Sequence, residues 1–315
     1  MRTVLTRVGI AVAVAVGLAA CSDATTGDDD GAQILVTTSI LGDVVQNLVG
    51  DAAEVEVIMP RGSDPHDFAP SAQQAEALRD ADILVVNGLG FEAGLLDTIE
   101  AAEADGVRVV RATDGIEVLP LGEVEHAEED AAEDEHEEGG DPHFFTDPRR
   151  MRDAAAHIAA ELAAHVDGLD APAVDERVEQ YRADLEALDA EVERILAAVP
   201  PERRTLVTNH EVFGYFADRY DFELLGAIIP GGTTLAEPSA ADLADLAQEI
   251  AQAGVPAIFA ETSAPSRLAD ALAAEGTDVE VVELFSESLG EADSEGGTYV
   301  AMVRTNAARI AAALG

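Results

Sequence analysis

The sequence predicts an α/β protein of two similar lobes, each a mainly parallel sheet flanked by helices, joined by one long rigid helix. Three observations predict this fold. Short apolar runs alternate with amphipathic segments in residues 33–171, and the same alternation returns in residues 200–315. Such alternation indicates parallel strands covered by helices. Between the two halves, residues 172–199 carry an apolar stripe at helical spacing.

The first half, residues 33–171, is predicted to form the N-terminal lobe. Its apolar runs predict strands at 34–38, 55–59, 83–86 and 107–111. The first three are continuous enough to predict burial on both faces. The amphipathic segments predict helices at 41–49, 72–79, 93–104 and 149–166.

The linking helix at 172–199 is predicted from apolar residues three and four positions apart. They are Val174, Val178, Tyr181, Leu185, Leu188, Val192 and Ile195. About 25 residues at 1.5 Å each make a helix about 38 Å long. A single helix of this length resists bending, so we expect the two lobes to move little relative to each other.

The second half, residues 200–315, is predicted to form the C-terminal lobe. Its predicted strands lie at 205–208, 222–228, 257–260 and 279–283. Its predicted helices lie at 212–219, 240–253, 266–275 and 298–313. In parallel sheets ligands bind at the carboxyl ends of the strands, so we expect functional residues there.

The charge balance excludes nucleic acid as a partner. The 315 residues include 63 acidic and 18 basic side chains, which give a formal net charge of -45. Such a surface repels nucleic acid and anionic lipid. Residues 122–140 hold ten of the acidic residues together with His126 and His136. This composition cannot form a core and predicts an acidic mobile loop.

The N-terminus predicts secretion and lipid anchoring. Residues 1–21 read as a lipoprotein signal peptide, with basic residues before an apolar run too short to span a bilayer. The run ends at Cys21, where the preceding residues resemble a lipobox, so Cys21 is the predicted lipidation site. Residues 22–32 would form a flexible tether that holds the protein outside the cytoplasm at the cell membrane. Cys21 is the only cysteine, which excludes an internal disulfide and a thiolate metal cluster.

Three histidines indicate a metal site. His66 and His143 each follow an Asp-Pro pair, which stiffens the loop that presents them, and His210 directly follows a predicted strand. We expect all three to follow strand ends and to face a common cleft, where imidazole nitrogens suit zinc and its neighbours.

A fourth ligand is needed to complete a tetrahedron. Glu287 is placed for this after the last strand, and Glu283 and Glu261 are alternatives. His157 and His165, on one helix, are interpreted as surface or helix-packing residues.

The motifs together resemble the zinc/manganese-specific solute-binding lipoproteins of bacterial ABC importers, in particular the zinc-uptake subfamily. The segments that carry the resemblance are 36–40, 62–68, 141–148, 208–216, 236–239 and 258–262. The resemblance implies a metal bound between two lobes by His66, His143, His210 and a carboxylate matching Glu287. That carboxylate is commonly an aspartate, so a bidentate Glu287 or a water are the alternatives here. Manganese-type members usually have a carboxylate at the position of His210, so the resemblance implies Zn2+, with Mn2+ as the alternative.

The predicted function is therefore a binding protein and not an enzyme. We expect a monomer that captures zinc outside the cytoplasm and delivers it to the membrane permease of an ABC importer. A manganese-delivering or adhesin-type member of the family is one alternative. Another is a zinc hydrolase in which Glu211 acts as general base.

Overall fold

Two parallel sheets form the framework of the computed structural model, which describes residues 33–121, 140–236, 238–263, 267–274 and 279–315. The first sheet contains β1 (Gln33–Val36), β2 (Glu54–Val57), β3 (Ile83–Val86) and β4 (Arg108–Arg111), in the order β2-β1-β3-β4. The second contains β5 (Thr205–Thr208), β6 (Glu223–Ala227), β7 (Ala257–Glu261) and β8 (Glu280–Leu284), in the order β6-β5-β7-β8. The two orders are equivalent, which confirms the predicted fold of two similar lobes. We call the half of the chain that contains β1 to β4 the first lobe, and the half that contains β5 to β8 the second lobe.

Helices cover both sheets. They are α1 (Ser39–Val49), α2 (Ala72–Asp80), α3 (Leu96–Ala104), α4 (Pro148–His165), α5 (Pro172–Leu196), α6 (Gly214–Tyr220), α7 (Ala240–Ala253), α8 (Arg267–Ala274) and α9 (Tyr299–Leu314). The helix predicted at 93–104 is instead a 3-10 turn, Ala93–Leu95, followed by α3. Within the described ranges, none of the helices combines the length and apolar character that a membrane span requires.

Strand β2 departs from the prediction of burial on both faces. It is an edge strand, and Glu54, Glu56 and Val57 are exposed. The acidic side chains that interrupt its apolar residues explain the difference, because charge on an edge strand opposes pairing with another chain. Strands β1 and β3, at the centre of the sheet, have the predicted burial.

One continuous apolar core joins the two sheets. Helix α5 packs against α1, α4 and α9 between them, and the core includes residues from β1, β3, β5, β7 and all four of these helices. Most of the predicted stripe on α5 is buried, while Val178 and Ile195 are partly buried against the same core. The apolar core continues past both ends of α5, so it marks no boundary between the lobes. The proposed lobe boundaries and the limited lobe movement therefore remain predictions.

Candidate metal centre

The structure brings together the four residues predicted as ligands. The ligand atoms of His66, His143, His210 and Glu287 all lie within 4.8 Å of one another. Oε1 of Glu287 lies 2.8 Å from Nε2 of His66, 3.1 Å from Nε2 of His210 and 3.4 Å from Nε2 of His143. Nε2 of His210 lies 3.4 Å from Nε2 of His143. All four side chains are buried, His66 being the most exposed at 4%.

His66 is presented by the loop that follows β2. Its backbone N–H donates to Oδ1 of Asp64 at 2.9 Å, a local bond typical of aspartate in turns. The other carboxylate oxygen of Asp64 accepts from Thr234 Oγ1 of the second lobe at 2.6 Å. The ring of Phe91 meets the His66 ring edge-on at 5.4 Å. The His66 loop is therefore fixed from both lobes.

His143 does not follow a strand end, contrary to the prediction. It directly precedes a 3-10 turn, Phe144–Thr146, which leads into α4. Oδ1 of Asp141 accepts from the His143 backbone N–H at 2.9 Å and lies 2.7 Å from its Nδ1. A proton on Nδ1 donates to this carboxylate and leaves the Nε2 lone pair for a metal. This role of Asp141 was not predicted from the sequence, although the Asp-Pro-His spacing places the carboxylate within reach of the histidine.

His210 follows β5, as predicted, and the loop that carries it shifts the start of the next helix to a later residue than predicted. The helix predicted at 212–219 begins at Gly214 because the residues before it form this loop. Thr208 Oγ1 donates to the His210 carbonyl at 2.7 Å, and the Val212 N–H donates to the same oxygen at 2.9 Å. These bonds hold His210 in position just beyond the end of the strand.

Neither alternative fourth ligand belongs to the cluster. Oε1 of Glu261 lies 2.5 Å from Nδ1 of His210, the nitrogen that does not face Glu287. The second oxygen of Glu261 accepts from Ser286 Oγ at 3.1 Å. Glu283 is exposed on β8. Glu261 therefore orients His210, while Glu287 supplies the carboxylate of the cluster.

The electrostatics of the cluster suit a cation. Burial disfavours charge on His210, but the charges of Glu261 and Glu287 raise its pKa well above the usual range of histidine. Burial opposes charge on Glu287 as well, yet His210 and the histidine hydrogen bonds hold the pKa of Glu287 well below its usual range. Burial also works against charge on His143, while Asp141 and Glu287 raise its pKa. Oε2 of Glu287 is buried without a hydrogen-bond partner among the described residues, so it can accept a cation.

The two other histidines of the described residues, His157 and His165, are not part of this cluster. His165 is exposed on α4, and half-buried His157 packs near Gly115. Both placements agree with the interpretation as surface or helix-packing residues. Cys21, His126 and His136, with the predicted tether and nearly all of the predicted acidic loop, lie outside the described residues.

Comparisons with known proteins identify metal-binding relatives and a solved structure of similar fold. The family described as "ZnuA: Zinc-uptake complex component A periplasmic" matches residues 34–313. "Zinc-binding protein TroA" of Treponema pallidum is 35% identical over 291 residues, 90% of each chain. "Manganese-binding lipoprotein MntA" of Halalkalibacterium halodurans is 28% identical over 295 residues, 93% of this chain and 92% of the relative. A solved structure of the T. pallidum zinc-binding protein superimposes with a TM-score of 0.79 at 32% identity, covering 90% of this chain and 99% of the other.

Proposed function

The chain belongs to the ZnuA family of zinc-uptake complex components, and from this we propose that it binds zinc between its lobes and delivers it to a membrane permease. As a member of this family it is the metal-binding, substrate-binding protein of an ABC importer for zinc or manganese, and not an enzyme. The hydrolase hypothesis is thereby set aside. Oε1 of Glu211, its suggested general base, instead accepts a hydrogen bond from the Gly231 N–H at 3.3 Å.

The set of ligand atoms is the observation that supports zinc as the bound metal. Three imidazole Nε2 atoms surround one carboxylate oxygen, at distances from 2.8 to 3.4 Å. Imidazole is a preferred ligand of zinc, whereas the harder manganese ion favours a larger share of oxygen ligands. A set of three nitrogens and one carboxylate therefore supports zinc as cargo, with His66, His143, His210 and Glu287 as its ligands.

Both lobes contribute to this set. His66 and His143 come from the first lobe, and His210 and Glu287 come from the second. A bound ion would therefore connect the lobes, and its release to the permease requires ligands to move away from the ion, by movement of the loops that carry them, since we expect the lobes themselves to move little. Because the ligands are buried, this movement also has to open a path to solvent.

Membrane attachment is part of the proposal. We place the protein outside the cytoplasm, held at the cell membrane by a lipid on Cys21, with residues 22–32 as tether. The lipobox-like residues before Cys21 support this. The name of the related "Manganese-binding lipoprotein MntA" is consistent with it. Metabolic labelling with a fatty acid, compared between the full chain and Cys21→Ala, tests the anchor directly.

The metal assignment is tested by titration of the chain without its signal peptide. Zinc affinity is measured by competition with a chelator for the wild type and for His66→Ala, His143→Ala and His210→Ala. Each substitution should lower the affinity for zinc by about 100-fold or more, because it removes one ligand. His165→Ala, an exposed histidine on α4, is the matched control and should bind like the wild type. Unchanged affinity in all three ligand variants would refute the site.

The choice between zinc and manganese is tested with the same protein. We expect a zinc-loaded sample to keep its ion in the presence of excess manganese, since nitrogen ligands dominate the site. Metal analysis after dialysis measures the exchange. Loss of zinc to manganese in this exchange would favour the manganese-delivering alternative.

A further inference from the structure

The segment that follows Glu287 is fastened to the first lobe by a pair of buried serines. Ser288 Oγ accepts from the Gly62 N–H at 2.8 Å and lies 3.1 Å from Ser39 Oγ. Ser39 Oγ in turn accepts from the Leu289 N–H at 3.0 Å. Ser39 and Ser288 are 6% and 4% exposed, so these bonds are shielded from water. We call Ser39 and Ser288 the serine latch.

Further bonds between the lobes surround the serine latch. The Arg61 guanidinium donates from one nitrogen to the carbonyls of Gly290 and Gly297, at 2.7 and 2.9 Å. Oδ2 of Asp43, on α1, accepts from the Tyr299 N–H at 3.0 Å. The loop between β8 and α9 belongs to the second lobe in sequence, yet the first lobe holds it along much of its length.

The position of the serine latch connects it to two candidate ligands. Ser288 directly follows Glu287, and its partner Gly62 lies four residues before His66. Oε1 of Glu287 and Nε2 of His66 are themselves 2.8 Å apart. The same two chain segments are therefore joined once by the serine latch and once at the metal centre.

Glutamate has a longer and more flexible side chain than aspartate, so its carboxylate loses more freedom when it is held at one point. A fixed backbone reduces this cost, because fewer arrangements of the loop compete with the one that meets the imidazoles. Oε2 of Glu287 has no partner among the described residues, so hydrogen bonds to that oxygen do not fix the carboxylate. Oε1 faces the Nε2 atoms of the three histidines, and a bound ion would take up the lone pairs of those nitrogens, so the backbone on either side of Glu287 contributes the remaining constraint on the carboxylate.

We propose that the serine latch is a positioning device for Glu287, one that holds the carboxylate against the three imidazoles and thereby slows release of the metal. This inference rests on the proposed function, since it takes Glu287 to be a zinc ligand. In this proposal Ser39 and Ser288 are not ligands themselves. They act through the backbone of the loop that carries Glu287.

A double-mutant cycle tests the proposal. Zinc affinity and zinc dissociation rate are measured for Ser288→Ala and Ser39→Ala, each in the wild type and in a Glu287→Ala background. In the wild type, each serine variant should bind about tenfold more weakly, mainly through faster dissociation, as for other partners that orient metal ligands. In the Glu287→Ala background the same substitutions should have no further effect, because the carboxylate they position is gone.

The matched control is Ser294→Ala. Ser294 lies in the same loop, but its hydroxyl donates locally to the Glu291 carbonyl at 2.7 Å. This variant should bind zinc like the wild type. Thermal unfolding of each variant verifies the fold, and if Ser288→Ala does not fold, Ser39→Ala completes the cycle.

Two outcomes overturn the inference. One is an equal loss of affinity with and without Glu287, which would mean that the serines stabilise the closed arrangement generally. The other is no loss in either background. Failure of the proposed function is recognised separately, because His210→Ala would then leave zinc binding intact whatever the cycle shows.

Discussion

Oε1 of Glu261 lies 2.5 Å from Nδ1 of His210, and the other ring nitrogen of the same histidine faces Glu287. The carboxylate therefore selects which nitrogen carries the proton and which offers a lone pair. Such partners tune both the orientation and the basicity of a ligating imidazole. Glu261→Gln keeps the shape of the side chain and removes its charge. We expect zinc affinity to fall by about tenfold to 100-fold, measured by chelator competition.

Glu283→Gln is the control for this experiment. Glu283 lies on the neighbouring strand β8 but is exposed, and the sequence alone could not separate it from Glu261. Its substitution should leave zinc affinity unchanged. Equal affinities of both variants would contradict the orienting role of Glu261.

Zinc binding should release protons at neutral pH. Despite burial, Glu261 and Glu287 raise the pKa of His210, so its imidazole holds a proton at a higher pH than a free histidine does. Zinc requires the neutral imidazole, so the proton has to leave when the ion binds. Affinity should therefore decrease as the pH falls from about 8 to about 6. Calorimetry in two buffers of different ionisation enthalpy measures the release, and a binding enthalpy independent of the buffer would contradict it.

Asp147 should destabilise the fold at neutral pH. Desolvation by burial raises its pKa from 3.8 to about 6, although the Arg149 N–H and the Arg219 charge act in the opposite direction. The folded state thus binds the proton more tightly than the unfolded chain, so the contribution of this group to stability decreases as the pH rises from about 4 to about 6. Asp147→Asn retains the oxygen that caps α4.

The expected result for Asp147→Asn is a gain in the free energy of unfolding at pH 7 of about 1 to 3 kcal/mol, since one unit of pKa corresponds to about 1.4 kcal/mol. Denaturant unfolding at pH 4 and pH 7 measures the change, which should be small at the lower pH. Asp51→Asn, in an exposed turn, is the control. A loss of stability at pH 7 would show that the arginine contacts outweigh desolvation.

Asp189 should be the most important charged residue of the linking helix for stability. It is buried on α5 and accepts from Arg149 Nε of α4 at 2.8 Å and from Arg219 of α6 at 2.7 Å. Tyr220 Oη donates to its other oxygen at 3.1 Å. Asp189→Ala leaves these donors without their shared acceptor, so the free energy of unfolding should fall by about 3 kcal/mol.

Glu193→Gln provides the comparison for Asp189→Ala. Glu193 lies one turn along α5 and pairs with the same Arg219, but its side chain is half-exposed. Solvent screens such a pair, so the cost should stay below about 1 kcal/mol. Thermal and denaturant unfolding measure both variants, and equal costs would contradict the shared-acceptor role of Asp189.

Local patterns predicted much of the fold. Alternating apolar and amphipathic segments predicted two parallel sheets, and the stripe on α5 predicted one long helix, because both signals come from neighbouring residues. The helix predicted at 149–166 is α4, which begins one residue earlier at Pro148 with Asp147 as its cap. The prediction was wrong for β2, because an apolar run does not reveal whether a strand is central or lies at the edge of its sheet. It also missed buried Asp189, which the helical stripe alone does not distinguish from a solvated carboxylate.

The sequence by itself determined the architecture and, through local context and family resemblance, the four candidate ligands. The tertiary structure decided how those ligands are held. Glu261 is 51 positions from His210, and Ser39 is 249 positions from Ser288. No local rule of spacing relates residues so far apart, because their contact exists only after both sheets have packed against the shared core. In the folded protein Glu261 orients His210, whereas Glu283 is exposed to solvent. The loop that carries Glu287 is hydrogen-bonded to the lobe that carries His66.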